Sequence, residues 1–106
     1  MNISITARGG KASDRLKKYI TDRIDRKQKL FNGVIETEVI LSYEKLTQIA
    51  ELKLKVDNKS IFVREKSDDI YKSIDQAFDN SERQIRRFRE KRRKHKNEKI
   101  NDKIAV

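Results

Sequence analysis

Polar and apolar residues alternate at the start of the chain, with Ile3, Ile5 and Ala7 on one side and Asn2, Ser4 and Thr6 on the other. That period of two predicts a half-buried strand over residues 2–7, ended by Arg8-Gly9-Gly10. The period then changes. Leu16, Tyr19, Ile20, Ile24, Leu30 and Phe31 recur at helical spacing behind Ser13, which offers an N-cap oxygen, and Asn32-Gly33 supplies a left-handed stop. One helix of about five turns is expected there. Two further alternating runs follow: Ile35, Thr37, Val39, Leu41 and Tyr43 share one side of a strand, as do Ala50, Leu52, Leu54 and Val56. Lys45-Leu46-Thr47 joins these two strands. Asp57-Asn58 fits a tight turn into a short fourth strand over residues 60–65, in which Ile61 and Val63 oppose Phe62 and Arg64.

A last helix, capped by Ser67 or Asp68, carries Tyr71, Ile74, Phe78, Ser81, Ile85 and Phe88 at steps of three and four. Its stripe stops at Phe88, and the helix is expected to end near residue 95. The order β-α-β-β-β-α predicts an α+β fold: a four-stranded mixed sheet with two helices packed on one face and the other face wet. The first two strands should be parallel, because a helix connects them, and the last three should form an antiparallel meander. Residues 1–95 make one domain, and 96–106 are expected to be a polar, disordered C-terminal tail.

Composition sharpens this picture. Apolar residues are 35% of the 106 and charged residues 42%, enough for one modest core. The formal charge is +10, from 27 Lys and Arg against 17 Asp and Glu, which favours a polyanionic partner. There is no cysteine, so disulfides, thiolate nucleophiles and sulfur-ligated metals are excluded. No apolar run approaches the roughly 20 residues of a membrane-spanning helix, and the N-terminus lacks the pattern of a signal peptide. A cytoplasmic protein with no membrane partner is expected.

The charge is unevenly placed. Residues 1–80 hold 16 basic and 13 acidic side chains, net +3, while residues 81–106 hold 11 and 4, net +7. On the last helix Arg83, Arg86, Arg87 and Lys94 project opposite the apolar stripe, with Lys91 on the flank. A basic helical face often does no more than keep a domain soluble, but such faces normally mix signs. Here nine cations between Arg83 and Lys96 meet one acid, Glu90. That self-repulsion makes sense if phosphates neutralise it. On the first helix Arg15, Lys18 and Lys29 lie beside Asp22 and Asp25 as an ordinary mixed surface, whereas Arg23 and Arg26 lie on a flank that can join the last helix in a shared basic groove. Lys27 falls inside the apolar stripe, where a snorkelling stem is the favoured reading.

Catalysis finds no support. His95 is the only histidine and belongs to the basic run, and Asp68, Asp69, Asp75 and Asp79 have no His or Cys to complete a metal set. No catalytic residue, metal, cofactor or small-molecule substrate is expected. A double-stranded-RNA-binding domain is the nearest generic comparison. Such domains place lysines at the start of their last helix, but this helix begins Ser67-Asp68-Asp69-Ile70, where acid repels phosphate.

The element order, the segment Asp69-Ile70-Tyr71-Lys72-Ser73-Ile74-Asp75, the pair Arg83-Gln84 before a basic run, and Glu44-Lys45-x-Thr47 between strands together resemble the ribosome hibernation promoting factor and ribosome-associated inhibitor family over about residues 2–95. The resemblance implies a monomer, when off the ribosome, that binds the small ribosomal subunit and its 16S rRNA in the channel used by messenger and transfer RNA. It would inhibit translation and preserve idle ribosomes in starvation or stationary phase. The family's basic positions match Arg23 and Arg26 on the first helix and Arg83, Arg87, Arg89 and Lys91 on the last, and the helical-face reading adds Arg86 and Lys94.

Two departures matter. Lys27 stands where the family usually has an apolar residue. Long-form members carry a second domain that pairs ribosomes, and a sequence ending at Val106 is expected to be a short form. A general RNA-binding module or chaperone would account for the net charge as well. A protein-interaction regulator, such as a sigma-factor modulator, would use the wet sheet face with Glu36, Glu38, Glu51 and Lys53.

Overall fold

The structure, a computed structural model, describes the backbone from Met1 to Ala105 and the side chains through Arg93. Seven elements follow in order: β1 (Asn2–Arg8), α1 (Asp14–Arg26), α2 (Gln28–Phe31), β2 (Val34–Tyr43), β3 (Gln48–Val56), β4 (Lys59–Ser67) and α3 (Ile70–Ala105). The strands form one sheet in the order β1-β2-β3-β4. β1 runs parallel to β2, and β2, β3 and β4 are antiparallel neighbours, so the α+β mixed sheet is the one expected.

Register explains the core. Ile5 pairs with Val39, Val39 with Leu52 and Leu52 with Val63, which draws one apolar row across all four strands. Thr37, Leu54 and Ile61 make the next row. Leu16, Ile20 and Ile24 of α1, Phe31 of α2, and Ile70, Ile74, Ala77, Phe78 and Ile85 of α3 join these rows in a single buried cluster. Burying a side chain of this size stabilises the fold by about 1.5–3 kcal/mol. The core therefore fixes which side of each helix faces outward.

Four local features differ from the sequence expectation. The first helix is not continuous: α1 ends at Lys27, whose φ of −116° and ψ of 36° are non-helical, and a single turn, α2, follows. A continuous helix would push an ammonium into the apolar stripe. With the break, the Lys27 side chain stays 46% exposed and its Nζ lies 3.9 Å from Glu82 Oε1. Ile35 does not point inward, because the β2–β3 register shifts between Val34 and Glu36. This bulge buries Val34 and leaves Ile35 exposed. The cap of α3 is Asp69, whose carboxylate accepts from the Tyr71 N–H at 3.0 Å, while the Ser67 hydroxyl accepts from the Asp69 N–H at 3.1 Å. Finally, the backbone of α3 is helical to Ala105. Through Ala105 the stretch expected as a tail over 96–106 thus continues α3, and its side chains lie outside the described residues.

Other local expectations hold. The Ser13 hydroxyl accepts from the Leu16 N–H at 3.1 Å. Gly33 adopts φ +92° at the stop before β2, a conformation that costs glycine little. Asp57 takes φ +53° in the β3–β4 turn, where aspartate is tolerated.

Candidate nucleic-acid interface

With Phe78 and Ile85 turned into the core, α3 presents two flanks and an outer edge to solvent and neighbours. One flank faces α1. There the Arg23 guanidinium donates to Asp75 Oδ1 at 3.3 Å, Asp79 Oδ1 at 2.6 Å and Glu82 Oε2 at 2.9 Å. It also lies over the Phe78 ring, 5.5 Å from the centroid. The Arg23 side chain is 17% exposed and that of Glu82 only 4%. Burial opposes the charge on Arg23, but its hydrogen bonds to Asp79 and Glu82 outweigh that, so its pKa is raised above the ordinary arginine value. Tyr19 completes the cluster by donating its hydroxyl to Asp75 Oδ1 at 2.6 Å. That hydrogen bond, followed by burial, raises the phenol above its ordinary pKa and keeps it a donor.

Arg23 therefore lines a hollow between α1 and α3 with Arg26, Lys27 and Asp75, but α3 carboxylates meet its charge there, so the hollow is not the purely basic groove that the sequence suggested. The signal was present in the sequence: Asp75, Asp79 and Glu82 stand at i, i+4 and i+7, on one flank of a helix. Arg26 remains exposed at the end of α1, its Nε 3.4 Å from the Asp22 carbonyl oxygen.

The outer edge and the β4 flank are different. Arg83, Arg86 and Arg87 are exposed, and among the described residues none forms a salt bridge. Arg83, Arg87 and Lys91 stand four residues apart, so they form a ladder with steps of about 6 Å along the axis. Together with Lys59 at the start of β4 they line a groove of about 370 Å³ between that strand and α3. Lys59 is a functional candidate that sequence reasoning missed, since it lies in a hairpin remote along the chain from the basic helix.

Two more cations of α3 have structural partners. Arg89 donates to the Asn32 carbonyl oxygen at the α2–β2 turn, and Arg92 pairs with Asp57 in the β3–β4 turn. Arg89 thus reaches toward the α2–β2 turn, away from the ladder. Lys94 lies outside the residues with described side chains.

A set of exposed cations on one helix that form no salt bridge among the described residues, with Asp75, Asp79 and Glu82 drawn to the flank facing α1, is a surface suited to displacing counterions from a polyanion. A family model described as sigma 54 modulation protein / S30EA ribosomal protein matches residues 3–93. The chain belongs to this family. Among S30EA-family relatives, the ribosome hibernation promoting factor of Klebsiella oxytoca is 25% identical over 95 residues, covering 90% of this chain and all of the relative. The factor of the same name from Azotobacter vinelandii is 29% identical over 91 residues, covering 86% of this chain and 85% of the relative. In structure, a ribosomal subunit interface protein from Coxiella burnetii superposes with a TM-score of 0.79 at 25% identity, over 84% of this chain and 98% of that one. The N-terminal domain of Thermus thermophilus Protein Y gives 0.76 at 28% identity, over 83% and 99%.

Proposed function

We propose that this protein is a ribosome hibernation factor that binds the small ribosomal subunit through 16S rRNA in the channel for messenger and transfer RNA, and so holds idle ribosomes out of translation. The observation that carries this reading is the exposed set Arg83, Arg86 and Arg87, which forms no salt bridge among the described residues, on a helix with net positive charge. Family membership and the names of the relatives support it from the side of descent. Residues 1–95 form the binding unit. Arg26, Arg83, Arg86, Arg87 and Lys91 contact phosphates, joined by Lys59, and Lys94 continues the same basic run. Arg23 and Arg89 serve chiefly to hold the helices in place.

The mechanism is occupancy. Guanidinium forks on a rigid helix replace counterions along folded rRNA, and the bound domain fills space that a transfer RNA needs. Affinity should fall steeply with salt, by about 0.7–0.9 in log–log slope for each phosphate contact.

Footprinting and competition on purified small subunits test the reading together. Protection of one defined patch of rRNA, lost as transfer RNA is added, is the expected result. Equal affinity for unrelated RNAs, with no competition by transfer RNA, would instead identify a general RNA-binding module.

A further inference from the structure

Phe88 ends the apolar stripe of α3 and is only partly buried. One side of the residue packs on the core; above its ring, 5.4 Å from the centroid, sits the Lys59 ammonium. That face is covered by the end of one exposed, flexible lysine, a cover that a partner can displace. Two hollows meet at this ring: the groove between β4 and α3 and a second of about 540 Å³ beneath the β3–β4 turn, both lined by Lys59, Phe88 and Lys91. Arg83 and Arg87 extend the first along the helix, and Gln84, one turn before Phe88, brings an amide into it. The acid in the second, Asp57, is already paired with Arg92.

We propose that Phe88 is a stacking platform for an unstacked base of a single-stranded or bulged RNA segment, with Lys59, Arg83, Arg87 and Lys91 holding the adjoining phosphates. The inference rests on the RNA-binding reading and specifies the form of RNA this flank takes. Duplex RNA is gripped through its shape, phosphates and hydroxyl groups, and offers no free base faces to a ring. A single strand offers both a π-face and a backbone, and proteins that bind it combine a cationic groove with aromatic platforms. The arrangement here has both within one groove. An arriving base takes the place of the Lys59 ammonium on the ring, and the lysine, on an exposed strand end, turns to a phosphate.

The test uses fluorescence anisotropy at one fixed salt concentration with three labelled probes: a 12-nucleotide oligoadenylate, an abasic ribose-phosphate strand of equal length, and a 12-base-pair RNA duplex. The wild-type protein is expected to bind oligoadenylate about tenfold more tightly than the abasic strand. Phe88→Leu keeps an apolar side chain against the core and should bring oligoadenylate down to the level of the abasic strand, while Phe88→Tyr retains the difference. Equal wild-type affinity for the two strands, or oligoadenylate binding unchanged in Phe88→Leu, overturns the platform. Preference for the duplex over both strands does so as well. Small-subunit binding measured beside these probes separates the two claims: a protein that competes with transfer RNA but ignores bases loses the platform alone, and one that needs Phe88 for oligoadenylate but ignores small subunits loses the channel reading alone.

Discussion

On the flank of α3 that faces α1, Asp75, Asp79 and Glu82 converge on Arg23; on its outer edge and β4 flank, Arg83, Arg86 and Arg87 have no carboxylate partner among the described residues. Both regions hold arginines on amphipathic helices, and composition does not tell them apart. What separates them is where the acids stand. Glu82 is nearly buried and tolerable only because Arg23 and Lys27 reach it, so this flank is committed to holding α1 against α3. On the other flank, no carboxylate among the described residues takes up the charge of Arg83, Arg86 or Arg87. On the proposed reading, an arginine of this fold contacts RNA when the core turns it outward and no acid one turn away claims it.

The largest effect should come from the outer region. Reversing Arg83, Arg86 and Arg87 to Glu is expected to lower small-subunit affinity by at least about a hundredfold, since three phosphate contacts become repulsions. Thermal unfolding should move by no more than a few degrees, because all three side chains are exposed. Co-sedimentation of the triple variant with small subunits at wild-type levels would show that the basic edge of α3 is not the docking surface.

The inner region should answer in the opposite way. Arg23→Ala leaves Glu82 buried beside a single lysine at 3.9 Å and is expected to cost about 2–4 kcal/mol by chemical denaturation. Because the Arg23 guanidinium is committed to three carboxylates, the salt slope of RNA binding should stay at the wild-type value even if affinity falls. A slope lowered by about 0.7–0.9 would instead count Arg23 among the phosphate contacts. Replacing the pair by apolar residues, Arg23→Met with Glu82→Leu, should recover much of the lost stability, since neither charge is then stranded.

Much of this could be read from spacing. Strand alternation placed Val39, Leu52, Leu54 and Val63 inward, and helical periodicity placed Ile74, Phe78 and Ile85, because each pattern reflects a local repeat that the core then selects. The outward set Arg83, Arg86 and Arg87 follows from the same repeat. What spacing on one element could not deliver was pairing between elements. Arg23 is separated from Asp75 by 52 residues and Arg92 from Asp57 by 35, so whether those arginines are engaged depends on how the helices and the hairpin come together. The break at Lys27 and the bulge at Ile35 escaped for a related reason: each relieves a conflict between a local repeat and the burial that tertiary packing demands.

The smallest effect tests the border between the two kinds of cation. Arg92 lies past the end of the apolar stripe and is held by Asp57 in the β3–β4 turn, with both side chains about half exposed. Such a pair contributes only about 0.5 kcal/mol. Asp57→Asn keeps a residue that accepts the φ of +53° at this position, so the turn is preserved while the acid is removed. Stability should fall by about that half kilocalorie, and RNA affinity should rise by about twofold as Arg92 is released and the groove loses its carboxylate. The two changes have opposite signs, which no general loosening of the fold would produce. Urea titration and small-subunit binding on the same preparation check both, and a loss of affinity that accompanies the loss of stability would place Arg92 with Arg23 among the structural arginines.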